Sequence, residues 1–210
     1  MTAREALILE TAGPIFAARG YTAASMDEIA EAAGVSKPVL YSCFGSKDGL
    51  YFAYIERAGA ELLAAIRNAG APDGGGPPDA RLWAGTLAFF TFVNDDRDGY
   101  SVLFAELAAG GATRRREVAA IRRRIVEMVA WLFEEVVAGA GHSASDVGGV
   151  EALAVAYVGA GESLANWWLE HPEEPTEAVA ARLLDVGWLG LDGLLAGRTE
   201  GWMARLAALR

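Results

Sequence analysis

The chain has 210 residues, 53 % of them apolar, and carries 18 Lys and Arg against 28 Asp and Glu for a formal net charge of −10. That length can bury a sizeable core in one large or two small domains, while the negative balance argues against a histone-like binder, a polybasic membrane binder or a general nucleic-acid coat. A single cysteine, Cys43, excludes an internal disulfide and a cysteine-rich zinc site; the start MTAREALILETA is not a signal peptide and the apolar run 186–196 is too short to cross a bilayer, so a cytoplasmic protein is expected.

Residues 3–18 are predicted helical, with Leu7, Ile8, Ala12, Ile15 and Phe16 inward and Pro14 placed to bend the helix or break one hydrogen bond. Ser25 then precedes MDEIAEAA with Glu28 three positions on, the spacing of a capping box. Met26, Ile29, Ala30 and Ala33 recur at helical intervals. Gly34 stands where a left-handed residue ends a helix without a Cβ clash. Val35 is expected inside the turn, Ser36 as the cap of the next helix and Pro38 in its first turn, where a missing N–H costs nothing. In that helix Leu40 and Phe44 should face inward, with Val39, Ser42 and Cys43 on or near the outer face. Cys43 is expected to be a packing residue rather than a redox sensor. Two short helices about a tight turn make a helix-turn-helix, an element whose second helix enters the major groove of DNA.

Residues 48–67 form a longer predicted helix with Leu50, Tyr51, Tyr54, Ile55, Leu62 and Ile66 at helical intervals, and AGAPDGGGPPDA at 69–80 breaks it. Helices are then expected over 81–94, around Tyr100–Leu107 up to Gly110–Gly111, over 113–138, from a Ser145 cap through 146–170, and over 176–197. A short amphipathic segment, 199–209, closes the chain, and no alternating strand pattern appears. The arginine runs Arg114–Arg116 and Arg122–Arg124 read as a solvated face. Residues 146–170 and 176–197 are apolar on more than one side, and Gly187, Gly190 and Gly193 permit close helix approach. A helix apolar all round needs burial on several faces, so a two-fold dimer through a four-helix bundle of these helices is expected.

Phe16, Gly20–Tyr21, Ser25–Ile29–Ala30, Ala33–Gly34–Val35–Ser36, Leu40–Tyr41–Phe44 and Ser46–Lys47–Leu50 stand at fixed spacings. Together they resemble the N-terminal domain of TetR-type transcriptional regulators over roughly the first third of the chain. The resemblance implies an all-α fold. A helix-turn-helix domain, 1–47, joins through the connecting helix 48–67 to a helical ligand-binding and dimerisation domain, 68–210. It also implies a homodimer on a near-palindromic operator in double-stranded DNA, with no cofactor and no membrane partner.

The candidate DNA contacts are Ser25, Ser36, Lys37, Val39, Tyr41, Ser42 and Lys47. A tyrosine hydroxyl or a lysine can hold a phosphate, which positions a protein without reading sequence. Val39 can touch a thymine methyl, and Ser42 can reach a base edge or a phosphate. The only two lysines of the chain, Lys37 and Lys47, flank the second helix. Residues 1–66 nevertheless hold five Arg and Lys (positions 4, 19, 37, 47, 57) against eight Asp and Glu, a net of −3, where such domains are usually basic. In the body, Phe89, Phe92, Phe104, Trp131 and Tyr157 can line a cavity for an apolar or aromatic effector, with Glu162 and Asn166 to orient it.

His142 and His171 have no metal-ligand spacing around them, and no nucleophile or phosphate-loop motif appears, so no metal and no enzyme activity are expected. The expected function is a ligand-responsive repressor that a small effector releases from its operator. An activator or a corepressor-dependent regulator has the same fold. The acidic head and the small Ser42–Cys43 pair leave one alternative of another class, a helical ligand-binding or catalytic protein whose head has lost operator affinity.

Overall fold

The computed structural model describes residues 1–71, 76–109, 112–142 and 150–195. Every regular element among them is a helix: α1 (Ala3–Ala23), α2 (Met26–Ala32), α3 (Lys37–Phe44), α4 (Lys47–Ala69), α5 (Pro78–Asp95), α6 (Arg97–Ala109), α7 (Ala112–Gly139), α8 (Glu151–Leu169) and α9 (Thr176–Leu195). The all-α class is as expected. Two compact units divide the chain, one of residues 1–63 with 92–122 and one of residues 64–91 with 123–210. The expected Gly110–Gly111 stop, the Ser145 cap with the start of its helix at 146, and the 199–209 segment lie outside the described residues.

In the first unit, α1 begins with a capping box of its own. The Glu5 amide donates to Thr2 Oγ1 at 3.2 Å and the Thr2 amide donates to Glu5 Oε2 at 2.7 Å, satisfying donors that a helix start leaves open. The Thr2 amide holds the Glu5 carboxyl below its ordinary pKa. The helix runs on through Pro14, and the backbone break falls instead at Gly20 (φ 68°, ψ 168°). Pro14 is exposed, so the hydrogen bond it cannot donate is lost on the solvent side.

The buried stripe of α1 is Ile8, Ala12 and Phe16 with Leu9, and Leu7 falls outside that arc on the surface. Ile29 of α2, Leu40 of α3, Leu50 and Ile55 of α4 and Leu103 of α6 complete this core. Aromatic rings lock α1 to α4. Phe16 meets Tyr51 edge-on at 4.7 Å and Tyr54 at 6.3 Å, and Tyr21 meets Tyr51 at 5.0 Å, pairs worth about 0.5–1.5 kcal/mol each beyond burial. Gly13 permits this closeness, because a Cβ there would lie 2.6–2.8 Å from Tyr54 ring and hydroxyl atoms.

The second unit packs Leu82, Thr86 and Phe90 of α5 with Leu132, Phe133 and Val137 of α7, Ala154, Tyr157 and Trp168 of α8, and Val179, Ala180 and Leu183 of α9. Close approach of α8 and α9 depends on their small residues. A Cβ on Gly187 would meet the Tyr157 ring at 2.4 Å, and one on Gly161 would meet Leu183 at 3.1 Å. α8 ends before His171–Pro172, and the Trp168 indole donates to the Glu174 carbonyl at 2.8 Å across the turn. Thr86 and Tyr157 form a buried polar pair at 2.7 Å. Because the Thr86 hydroxyl donates its one hydrogen to the Leu82 carbonyl at 2.8 Å, Tyr157 must donate to Thr86. Phe133 covers the Tyr157 ring edge-on at 5.5 Å.

Gly13→Ala should destabilise the protein. The gain in helix propensity is about 0.5–1 kcal/mol, and forcing a methyl against a ring held by Phe16 costs about 1–3 kcal/mol, so a lower thermal midpoint is expected. Tyr157→Phe should lower stability by about 0.5–1.5 kcal/mol at neutral pH. Burial pushes the Tyr157 phenol up to about 12, above the value near 10 of an unfolded tyrosine. Its contribution is therefore complete below about pH 10 and is lost as pH rises through 12. Urea midpoints measured against pH should fall for the wild type in this window. They should fall less steeply for the Phe variant, with Tyr54, also pushed up by burial, supplying the remainder.

Candidate functional site

The C-terminus of α2 closes in a Schellman turn. The Val35 amide donates to the Ala30 carbonyl at 3.0 Å and the Gly34 amide to the Glu31 carbonyl at 3.1 Å, with Gly34 at φ 65°. This pairing places a left-handed residue directly after the helix and satisfies its last carbonyls. Ser36 follows with extended dihedrals, and its carbonyl accepts from the Val39 and Leu40 amides at 2.9 and 3.1 Å. Its side chain makes no capping hydrogen bond, so its role as cap is backbone-only, and the hydroxyl is exposed. Pro38 occupies the first turn of α3, where its fixed φ favours helix.

The expected Ser25–Glu28 capping box does not form. Ser25 Oγ accepts from the Asp27 amide at 3.2 Å, and Glu28 turns to Arg19 of α1 at 2.7 Å. A charge-assisted bond to a guanidinium is stronger than one to a neutral amide, and Arg19, nine residues away in the chain, was not visible to local spacing. On α3, Leu40 is fully buried, Phe44, Val39 and Cys43 are half-buried, and Ser42 is exposed. Tyr41 is 40 % exposed. Ser36, Lys37, Tyr41 and Ser42 thus share one accessible stretch around a helix whose opposite side is held by Leu40.

The two lysines are engaged differently. Lys37 Nζ lies 2.8 and 3.0 Å from the two carboxylate oxygens of Asp27 in α2, and this hydrogen bond raises the ammonium pKa. Lys47 Nζ donates to the Thr22 carbonyl at 3.1 Å and sits 4.7 Å above the Tyr21 ring. The Tyr21 hydroxyl donates to Asp48 at 2.7 Å. The break at Gly20 therefore sets Tyr21 as a platform under Lys47, and Ser46 accepts from the Gly49 amide at 3.0 Å to start α4 behind it. Neither Asp27 nor Tyr21 was among the sequence candidates. The Gly–aromatic and Ser–Lys motifs hinted at the second, and no local spacing pointed to the first.

The body candidates are distributed. Phe92 and Phe104 belong to the first unit, where Phe104 stacks near Tyr100 at 4.4 Å. Phe89, Trp131, Tyr157, Glu162 and Asn166 belong to the second. Tyr157 is buried, Phe89 and Glu162 are half-buried, and Asn166 and Trp131 are exposed. Trp131 carries the Arg81 guanidinium over its ring at 4.8 Å, and Arg81 is itself buried, bonded to the Gly70 carbonyl and to Glu135. An open groove of about 350 Å³ lies elsewhere on this unit, lined by Asp79, Ala80 and Trp83 of α5 and Leu184 and Trp188 of α9. Sequence reasoning did not join these two segments. Among the described residues no group of His, Cys, Asp or Glu is arranged to hold a metal ion, and no helix is long and apolar enough to cross a membrane.

Comparison with known proteins matches two successive stretches of the chain. Residues 8–54 match the family model "Bacterial regulatory proteins, tetR family", and residues 78–190 match "Tetracyclin repressor-like, C-terminal domain". A TetR-like transcriptional regulator from Rhodococcus sp. RHA1 is 33 % identical, with 92 % of this chain and 98 % of that one covered at a TM-score of 0.75. A second tetR-family regulatory protein from Rhodococcus RHA1 is 25 % identical, with 91 % and 98 % covered at a TM-score of 0.74. The HTH-type transcriptional activator FasR of Mycolicibacterium smegmatis is 44 % identical over 101 residues, and the match spans 48 % of this chain and only 45 % of that relative. With both halves matched in order and the fold shared along nearly its whole length, the chain belongs to the TetR family of transcriptional regulators.

Proposed function

We propose that this protein is a homodimeric, ligand-responsive repressor that acts in the cytoplasm. It would hold a near-palindromic operator through two copies of α3 and release it when a small apolar or aromatic effector binds the second unit. The observation that carries the reading is the Gly34 turn with the accessible Ser36–Ser42 stretch beyond it. Tyr41 and Lys47 would hold phosphates, Val39 and Ser42 would meet base edges, and Ser25 and Ser36 would add contacts at the two helix starts, where Lys37 also stands. Two recognition helices about one DNA turn apart require two-fold symmetry in both partners.

The apolar surface of the second unit supports a dimer. Between Ala152 and Trp167 the exposed residues of α8 are Ala152, Val155, Ala156, Ser163, Asn166 and Trp167, none of them charged. On α9, Val186, Trp188 and Leu189 are exposed, Leu189 at 70 %. Several exposed apolar side chains on two packed helices mark an interaction face, and two copies of α8 and α9 would cover it as a four-helix bundle. The effector would act by preferring one spacing of the two heads. Moving the balance from 1:99 to 99:1 needs about 5.5 kcal/mol of differential affinity. α4, which like α5 and α7 has residues in both units, would be one covalent route between effector and head. A second reading, an activator, is favoured by the matched relative from M. smegmatis, itself a transcriptional activator.

Selection from random duplexes with the purified protein should enrich an inverted repeat; absence of any enriched palindrome at low salt would remove the reading. On the selected site Tyr41→Phe and Lys47→Ala should weaken binding to all sequences alike, whereas Ser42→Ala should change base preference. Leu189→Asp, on a surface position that leaves the protomer core intact, should convert a dimer to a folded monomer in sedimentation velocity and abolish operator binding at the same protein concentration.

A further inference from the structure

We infer that Asp27 is a built-in substitute for the phosphate that Lys37 would otherwise contact, so that only Lys47 delivers an uncompensated lysine charge from each head to DNA. The inference rests on the DNA-binding reading and adds a residue that opposes binding.

The geometry separates the two lysines. Lys37 Nζ is within 2.8 and 3.0 Å of both Asp27 carboxylate oxygens, a two-point ion pair that joins the first turn of α2 to the first residue of α3. Lys47 rests on neutral partners, the Thr22 carbonyl and the Tyr21 ring. Arg19 and Arg57 have carboxylate partners as well, Glu28 at 2.7 Å and Glu61 at 3.7 Å. Three of the five cations in residues 1–66 are thus matched by a carboxylate within the same unit.

A cation that leaves a carboxylate for a phosphate exchanges one anion for another. It releases little from the counterion atmosphere, and the abandoned Asp27 carboxylate then faces the DNA charge. Each phosphate neutralised by a free cation adds about 0.9 to the slope of log affinity against log salt. A wild-type dimer should therefore show the slope of its Lys47 pair with little from the Lys37 pair.

The test is a double-mutant cycle by fluorescence anisotropy on a labelled duplex of mixed sequence, titrated between about 50 and 200 mM salt. Asp27→Asn should bind roughly tenfold tighter at the low-salt end, with a slope steeper by about 2 per dimer. Lys37→Ala should leave the wild-type slope nearly unchanged but remove the added slope in the Asp27→Asn background. Lys47→Ala should make the slope shallower by about 2 in either background. Asp27→Ser, which keeps a short oxygen side chain at the same helix start, should repeat the result if Asn perturbs α2. The slope does not depend on the active fraction of the sample. An unchanged or shallower slope in both Asp27 variants, or weaker binding, would overturn the inference and make Asp27 an orienting partner. If the wild type binds no mixed duplex and Asp27→Asn does, the inference stands; if neither binds, the inference falls, and the functional reading is decided separately by the palindrome selection.

Discussion

Two hydrogen bonds around Gly34 set the direction in which α3 leaves α2, and the exposed stretch of the head follows from that direction. The left-handed φ at Gly34 lets the Val35 and Gly34 amides turn back onto the Ala30 and Glu31 carbonyls, so two of the helix-end carbonyls are satisfied within the turn. Any residue with a Cβ is strained in this conformation. With the turn closed, Leu40 reaches the core and Tyr41 and Ser42 are left facing out. The accessible face is a by-product of where the buried leucine must go.

The same economy governs charge. The head carries few cations, and the fold sets its two lysines differently. Tyr21 serves two masters, packing edge-on against Tyr51 in the core and presenting its face to Lys47. A ring held from behind orients an ammonium without neutralising it. Asp27 does the opposite to Lys37. A protein with this balance would depend on shape and on well-placed neutral donors such as Ser36, Tyr41 and Ser42 more than on bulk attraction.

Much of this was legible because the signals are local. Gly34, Pro38, Leu40 and the 3.6-residue periodicity of α4 and α7 state their roles within a few residues of themselves. What escaped were competitions decided by distant partners. Glu28 is correctly spaced from Ser25, yet Arg19 of another helix takes it. Pro14 is the stronger helix breaker on paper, yet on the solvent side it is tolerated, and the break occurs at Gly20 where Tyr21 must reach the Lys47 side. Thr86 looks like an ordinary core-helix residue and Tyr157 like a cavity liner, and only their pairing across two helices reveals a buried polar centre. The Trp83–Trp188 groove likewise joins two segments far apart in the chain. The glycines of α9 did promise close approach, and Gly187 spends it on Tyr157 of its own protomer.

With lysine confined to positions 37 and 47, side-chain amine chemistry in this protein can occur only in the head. Acylation of either ε-amino group would erase a positive charge at an end of α3 while leaving the second unit untouched. The two amines would not respond equally. The nucleophile is the deprotonated form, and the Lys37 ammonium is stabilised by Asp27, so an acyl donor would meet at that position a residue already guarded by its own neighbour.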